Sequence, residues 1–258
     1  MNPFKPLVAL NSFRLYLLTA LLNLALISGS RAQDSTQRDY YNWFDSEVGI
    51  ENTGLFNGIR YRELYRVKDN KHKFFQSPEF LTGDLSYDGQ PYYDIPMKYD
   101  LFEDELIIEL KAQSGTSILR LLKEEVDAFE IDGHRFRHLR NTKVYRSNDN
   151  IDGFYEVLSE TGSIRLFKKH LKIRKKVLED KMVLNEFRKD DGYFIEHDGL
   201  YYPISNKNDL IRAFPESKKQ INDFYSGSKY LLKTDPDLFM IRMTERLDSS
   251  LNPNSTSS

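Results

Sequence analysis

Residues 92–111, YYDIPMKYDLFEDELIIELK, decide the fold class. Tyr93, Ile95, Met97 and Tyr99 alternate with Tyr92, Asp94, Pro96 and Lys98. After an acidic break, Leu106, Ile108 and Leu110 alternate with Ile107, Glu109 and Lys111. Side chains of an extended chain point to opposite faces in turn, so this period of two predicts strands with one buried face. The pattern runs from Phe80 to Ile204, through Phe129 with Ile131, Tyr155 with Val157 and Ile164 with Leu166. Asp-Gly pairs punctuate it at 88–89, 132–133, 152–153, 191–192 and 198–199. Both residues tolerate the positive φ that tight hairpins require. About eight to ten strands joined by such turns predict a mainly β (α+β) chain, an antiparallel meander closing as a barrel or packing as a sandwich.

Beyond Ile204 the period changes. Leu210, Ile211 and Phe214 fit one helix face, with Ser205 or Asn206 available as a cap. Asp235-Pro236-Asp237 is a helix start, and Phe239, Met243 and Leu247 form one stripe after it. Ahead of the body, Asn57 to Phe75 fits either a short helix plugging one end or an edge strand. The chain thus divides into a leader (1–32), an N-terminal extension (33–76), a β-rich body (77–204), a helical tail (205–250) and a polar, disordered end (251–258).

The leader reads as a signal peptide. Lys5 and Arg14 precede a 13-residue apolar run, Leu15–Ile27, and Ser30-Arg31-Ala32 supplies the small residues of a cleavage site. The run is shorter than the roughly 20 residues of a membrane span. Cleavage after Ala32 removes three basic residues and no acid, leaving 34 basic and 39 acidic groups in a periplasmic or secreted protein with no transmembrane span. The whole chain of 258 residues carries a formal charge of −2 and no cysteine. The missing thiols remove Cys-based nucleophiles and Cys-ligated metal sites, and the charge gives no footprint for nucleic acid.

Local motifs point weakly to chemistry. His134 and His138 flank Phe136, but on a strand residues four apart are about 13 Å distant, too far to share a metal. Asn148 to Gly153 resembles a calcium loop, yet Ser159 stands where the bidentate Glu is needed. Asp100, Glu103, Asp104 and Glu105 read as a solubilising turn. No nucleophile elbow, phosphate loop or zinc-protease motif occurs, so no catalytic residue, cofactor or metal is expected. The most unusual stretch is 168–176, where Lys168, Lys169, Lys172, Arg174, Lys175 and Lys176 crowd six positive charges into nine residues. Such a run either protects a strand edge or contacts an anionic lipid, glycan or acidic protein. A meander closed around a cavity would have Tyr93, Met97, Tyr99, Phe129 and Phe136 as its lining.

Three further stretches carry a resemblance: Asn52 to Gly58 with Tyr61, GDLSYDGQPYYDIPMKYD at 83–100, and Gly153 to Leu158. With Tyr201-Tyr202-Pro203-Ile204, Asp209 to Pro215 and Lys218-Lys219, they resemble a group of uncharacterised secreted envelope proteins of Gram-negative bacteria. The resemblance implies secretion and a β-then-helix layout, and carries no activity. The leading expectation is a non-catalytic secreted or periplasmic protein that binds or assembles with envelope proteins. A β-barrel carrier of a lipid or small apolar ligand is the alternative. A hydrolase pairing His134 with Glu130 or Asp132 is the third. The leader gives the first testable statement: intact mass and N-terminal sequencing of the exported protein should place its first residue at Gln33, and an intact leader would refute it.

Overall fold

The computed structural model describes residues 38–44, 47–112, 115–147, 150–160 and 162–251. The expected leader and the end from 252 lie outside them, as do Asn148 and Asp149 of the calcium-like loop. Residues up to Gly49 form a unit of their own, in which α1 (38–44) is helical. The second unit starts at Ile50 and runs through β1 (Ile59–Arg60), β2 (Leu81–Tyr87), β3 (Gln90–Asp100), β4 (Glu105–Ala112) and β5 (Gly115–Arg120). Then come β6 (Val126–Ile131), β7 (His134–Lys143), β8 (Asn150–Ser159), β9 (Ile164–Lys169), β10 (Lys172–Glu179) and β11 (Met182–Lys189). The strands end with β12 (Gly192–His197) and β13 (Leu200–Ile204), followed by α2 (Lys207–Ala213), α3 (Lys218–Gly227), α4 (Lys229–Thr234) and α5 (Pro236–Leu251).

The chain is mainly antiparallel β, as its periodicity predicts. Eleven strands form one sheet in the order β1-β5-β4-β3-β2-β6-β7-β8-β9-β12-β13, and β10 with β11 make a separate hairpin arm. The sheet is not closed: β1 and β13 are its edges. An isolated parallel bridge links Val144, just past β7, to Tyr201 on β13. The segment at 57–75 supplies the edge strand β1 rather than a helical plug.

Turn chemistry accounts for three of the hairpins. Asp88-Gly89, Asp132-Gly133 and Asp198-Gly199 all have positive φ and close the β2–β3, β6–β7 and β12–β13 hairpins. Asp152-Gly153 instead lies inside β8. A Cβ on Gly153 would stand 2.3 Å from Asp104 Oδ2, so glycine serves close approach there. Asp191-Gly192 leads straight into β12. The β3 alternation is also corrected. Gly83 pairs with Ile95 but Leu85 pairs with Tyr92, which inserts an extra residue at Tyr93-Asp94. Asp94 takes φ 57° and its N–H donates to Asp84 Oδ1 at 3.0 Å. Tyr92, not Tyr93, therefore joins Ile95, Met97 and Tyr99 in the core.

Two apolar cores lie side by side on one face of the sheet. The first gathers Leu55, Phe75 and the inward residues of β2 to β8, ending at Phe154. The second joins Ile164, Leu166, Ile195 and Ile204 to the helices through Leu210, Ile221, Phe239, Met243 and Leu247. A smaller third cluster, Leu139, Tyr155 and Phe167, lies on the other face. The helical tail is therefore part of the body. Asn206 caps α2 in a reciprocal box with Asp209, and Asp235 accepts the Leu238 N–H at the start of α5. Phe239, Met243 and Leu247 are fully buried, each contributing about 1.5–3 kcal/mol through removal from water. Truncating Phe239 to alanine should destabilise the fold by about 3–5 kcal/mol. A lower urea midpoint at unchanged slope would show it, and an unaltered midpoint would mean the helices do not seal the second core.

Candidate functional site

Strand β8 places a charge where its pattern calls for an apolar residue. Phe154 belongs to the first core and Leu158 packs against the second, so Glu156 between them sits at the seam on the same face. Register supplies its partners. Glu156 pairs across the sheet with Phe136 on one side and Lys168 on the other, which makes His134 and His170 its diagonal neighbours. His134 Nδ1 lies 2.5 Å from Oε1 and His170 Nε2 lies 2.5 Å from Oε2. The Phe75 ring stands edge-on to both imidazoles, with centroids 5.2 and 5.0 Å away. Burial alone would raise the Glu156 carboxyl, but the bonds from His170 and His134 outweigh it and hold it below the usual range.

The polar chain continues toward the helices. His170 Nδ1 lies 3.8 Å from Asp191 Oδ2, and Lys168 Nζ lies 3.8 Å from that same oxygen. Lys168 then reaches Asp237 Oδ2 at 2.8 Å, and Tyr193 OH donates to Asp237 Oδ1 at 2.5 Å. Lys168 and Tyr193 face each other across β9 and β12. One cross-strand pair thus grips the first turn of α5. Burial opposes ionisation of Asp237, yet Lys168 and Tyr193 hold its carboxyl low. The histidines expected to face Glu130 or Asp132 turn elsewhere: His134 to Glu156, and His138 to Asp152 at 3.1 Å and the Val126 carbonyl at 3.1 Å.

Two acids of the turn after β3 are drawn inward, contrary to expectation: Asp100 is buried and Asp104 half-buried, while Glu103 stays exposed. Asp104 accepts from Tyr99 OH at 2.6 Å, Lys169 Nζ at 2.6 Å and Lys123 Nζ at 2.9 Å. Burial raises its carboxyl, and Lys169, Lys123 and Tyr99 more than reverse that. Asp100 is fully buried, with Lys73 Nζ 2.7 Å from its Oδ2 and the N–H groups of Phe102 and Glu103 on Oδ1. There burial wins and the carboxyl is raised despite Lys73. The sequence shows four acids in a turn but not the cations that distant segments bring to Asp100, Asp104 and Glu105.

The basic run is divided by the fold. Lys168 and Lys169 are committed to Asp237 and Asp104. Lys172 donates to the carbonyls of His72 at 2.7 Å and Phe74 at 2.9 Å, and burial pushes its ammonium down to about 8. Arg174, Lys175 and Lys176 remain exposed on β10. The Arg174 guanidinium lies 4.8 Å from the Tyr65 ring centroid and 5.4 Å from that of Phe102. Tyr65 also lines a groove of about 340 Å³ with Tyr61, Leu64, Arg60, Arg62 and Arg120, whose wall includes the carboxylates Glu103 and Glu105 as well. Arg120 is paired with Glu105 at 2.7 Å.

The five residues expected to line a cavity separate into two environments. Met97, Tyr99, Phe129 and Phe136 are packed in the first core. Phe129 and Phe136 stack there at 4.7 Å, with Tyr99 edge-on to both. Tyr93 is carried by the β3 bulge to the opposite face. It lines an open pocket of about 280 Å³ there, with Phe129 and Phe136 also contributing to the wall. Among the described residues no group of three His, Asp or Glu is placed to hold a metal ion. No protein-family model matches the chain, and no curated protein or solved structure matches it either.

Glu156 and His170 escape linear reading because their partnership is made by register. Their one signal is the charged residue at a core position between Phe154 and Leu158. The linkage sign follows from the lowered carboxyl. Its stabilising contribution is complete above the unfolded value of about 4.3 and fades as pH falls below it. Replacing Glu156 by glutamine should cost about 2–3 kcal/mol near neutral pH. Urea midpoints of the parent and variant should converge as pH is lowered from about 6 to about 3. A gap that persists undiminished at the acid end would contradict an ionised Glu156 at the seam.

Proposed function

We propose that this chain is a non-catalytic periplasmic or secreted protein that docks on an acidic partner protein of the cell envelope. The observation that carries the reading is the unspent half of the basic run. Arg174 lies over Tyr65 beside the groove flanked by Arg60 and Arg62, and Lys175 and Lys176 continue the exposed charge along β10. Arg60 and Arg62 are themselves exposed, as is Leu64 at 75 %. Guanidinium groups over aromatic rings, next to exposed apolar side chains, suit a protein surface rich in carboxylates. Further apolar side chains, Leu178 at 73 % and Val183 at 58 %, are exposed on the arm.

The internal networks favour binding over chemistry. Both oxygens of Glu156 are taken by imidazoles, and Asp104 accepts three donors. Groups so engaged serve as ties between strands. No helix among the described residues is long and apolar enough to cross a membrane. Export rests on the leader read from the sequence, and membership of a Gram-negative envelope group rests on the resemblance.

The test is a photo-crosslinker at Lys176 in living cells. One acidic envelope protein should be trapped reproducibly. Reversing Arg60, Arg62 and Arg174 to glutamate should reduce the crosslink about tenfold or more while leaving the melting curve in place. Crosslinking that survives the triple reversal would refute the acidic-partner reading. Retention on anionic vesicles with no protein crosslink would point instead to lipid.

A further inference from the structure

The outward face of the sheet carries a second feature, independent of the docking groove. Across β2, β6 and β7 the register aligns Ser86, Ala128 and Arg137 in one row, and Asp84, Glu130 and Arg135 in the next. Pro91 extends the first row on β3. Three small residues side by side leave a hollow, and the longer side chains around it make its rim. The bulge at Tyr93-Asp94 turns a tyrosine ring to this face and completes the wall. The pocket of about 280 Å³ is at the small end of ligand sites.

Its charges are arranged in order. Asp84 and Glu130 stand directly opposite one another, and like charges in that position repel. Arg135 follows on the next strand, exposed and with no ion pair among the described residues. Arg137 is already held by Glu160 at 2.8 Å. Asp84 Oδ1 accepts the Asp94 N–H at 3.0 Å, and the paired negative charges draw a cationic group to this end of the pocket. A carboxylate meets the planar fork of Arg135. An apolar side chain covers Ala128 and Pro91 against Tyr93. We infer that this pocket binds a free α-amino acid with an apolar side chain, its ammonium toward Asp84 and Glu130 and its carboxylate on Arg135.

Saturation-transfer and shift-perturbation NMR on the full exported chain tests this with L-phenylalanine as the probe. N-acetyl-L-phenylalanine lacks the ammonium and L-phenylalaninamide lacks the carboxylate. Each should bind about tenfold or more weakly than the parent amino acid. Arg135→Met should weaken L-phenylalanine to a similar degree. Ala128→Leu, which fills the floor without entering the core, should remove binding while the melting curve stays unchanged. The inference is overturned by absence of binding at about 10 mM, by equal binding of either derivative, or by binding that Ala128→Leu leaves intact. Because the pocket and the basic groove share no residue, failure here leaves the partner-docking reading standing, and the reverse also holds.

Discussion

A carboxylate cannot be left bare in an apolar interior, and Glu156 is at the line where two apolar interiors meet. Its desolvation must be offset locally, and only the two flanking strands are near enough to do it. His134 at the start of β7 and His170 just past the end of β9 supply an imidazole to each oxygen. That requirement fixes more than one residue. It specifies the register of β7 and β9 against β8, because a slip of one residue on either strand would turn its histidine to the opposite face. It also places Phe75, whose ring covers both imidazoles. Buried ion pairs are weak evidence for net stability, since apolar residues of equal volume often do as well. Here the gain lies in specification, because one sheet face must hold two different coverings in a fixed order.

The helical layer follows from the same constraint. Its apolar stripe would fit several positions along an open sheet, and hydrophobic burial is not directional. Direction comes from Asp237, which Lys168 and Tyr193 hold from adjacent strands. A second tie, Asp248 accepting the N–H and hydroxyl of Ser163, secures the far end of α5 to the β8–β9 turn. The β3–β4 turn is pinned in the same way, through Asp104, to β9 and to the segment before β6. The fold thus uses apolar area for its stability and a few half-buried carboxylates to choose among otherwise similar packings.

Local patterning made the strands, three of the hairpins, the α2 cap and the α5 start legible. Each depends on neighbours a few residues apart, which a linear reading can see. The failures share one cause. Tyr93 was placed with Ile95 because alternation assumes an unbroken ladder, and the bulge that shifts it depends on the pairing of β3 with β2. Asp100 and Asp104 look solvated in the sequence because Lys73, Lys123 and Lys169 come from distant segments of the chain. Asp152-Gly153 looked like a turn because its dipeptide is a turn dipeptide, while its glycine answers to Asp104, a residue 49 positions away. The basic run read as one patch because alternation along β9 and the break at His170 are invisible in charge alone. Of the candidate site, Arg174 to Lys176 was legible and Arg60 with Arg62 was not, since only folding brings Tyr65 beneath Arg174.

The two faces of the sheet therefore differ in what they leave available. The face covered by Phe75 and the helices has most of its polar groups engaged internally, and a ligand entering there would have to displace partners already in place. The other face and the arm retain guanidinium groups with no carboxylate on them, small residues that leave hollows, and apolar side chains in water. Maintaining such features in a folded chain has a cost in solubility and in edge pairing, which the lysines of β10 reduce. A surface of this kind suits the proposed recognition: Arg135 stands on β7 of the main sheet, Arg60 on its edge strand and Arg174 on the hairpin arm. Charges held at fixed spacings lose less entropy on binding than charges on a mobile loop. In the proposed docking, the internal carboxylate ties would act without touching the partner, by ordering the strands that flank the exposed cations.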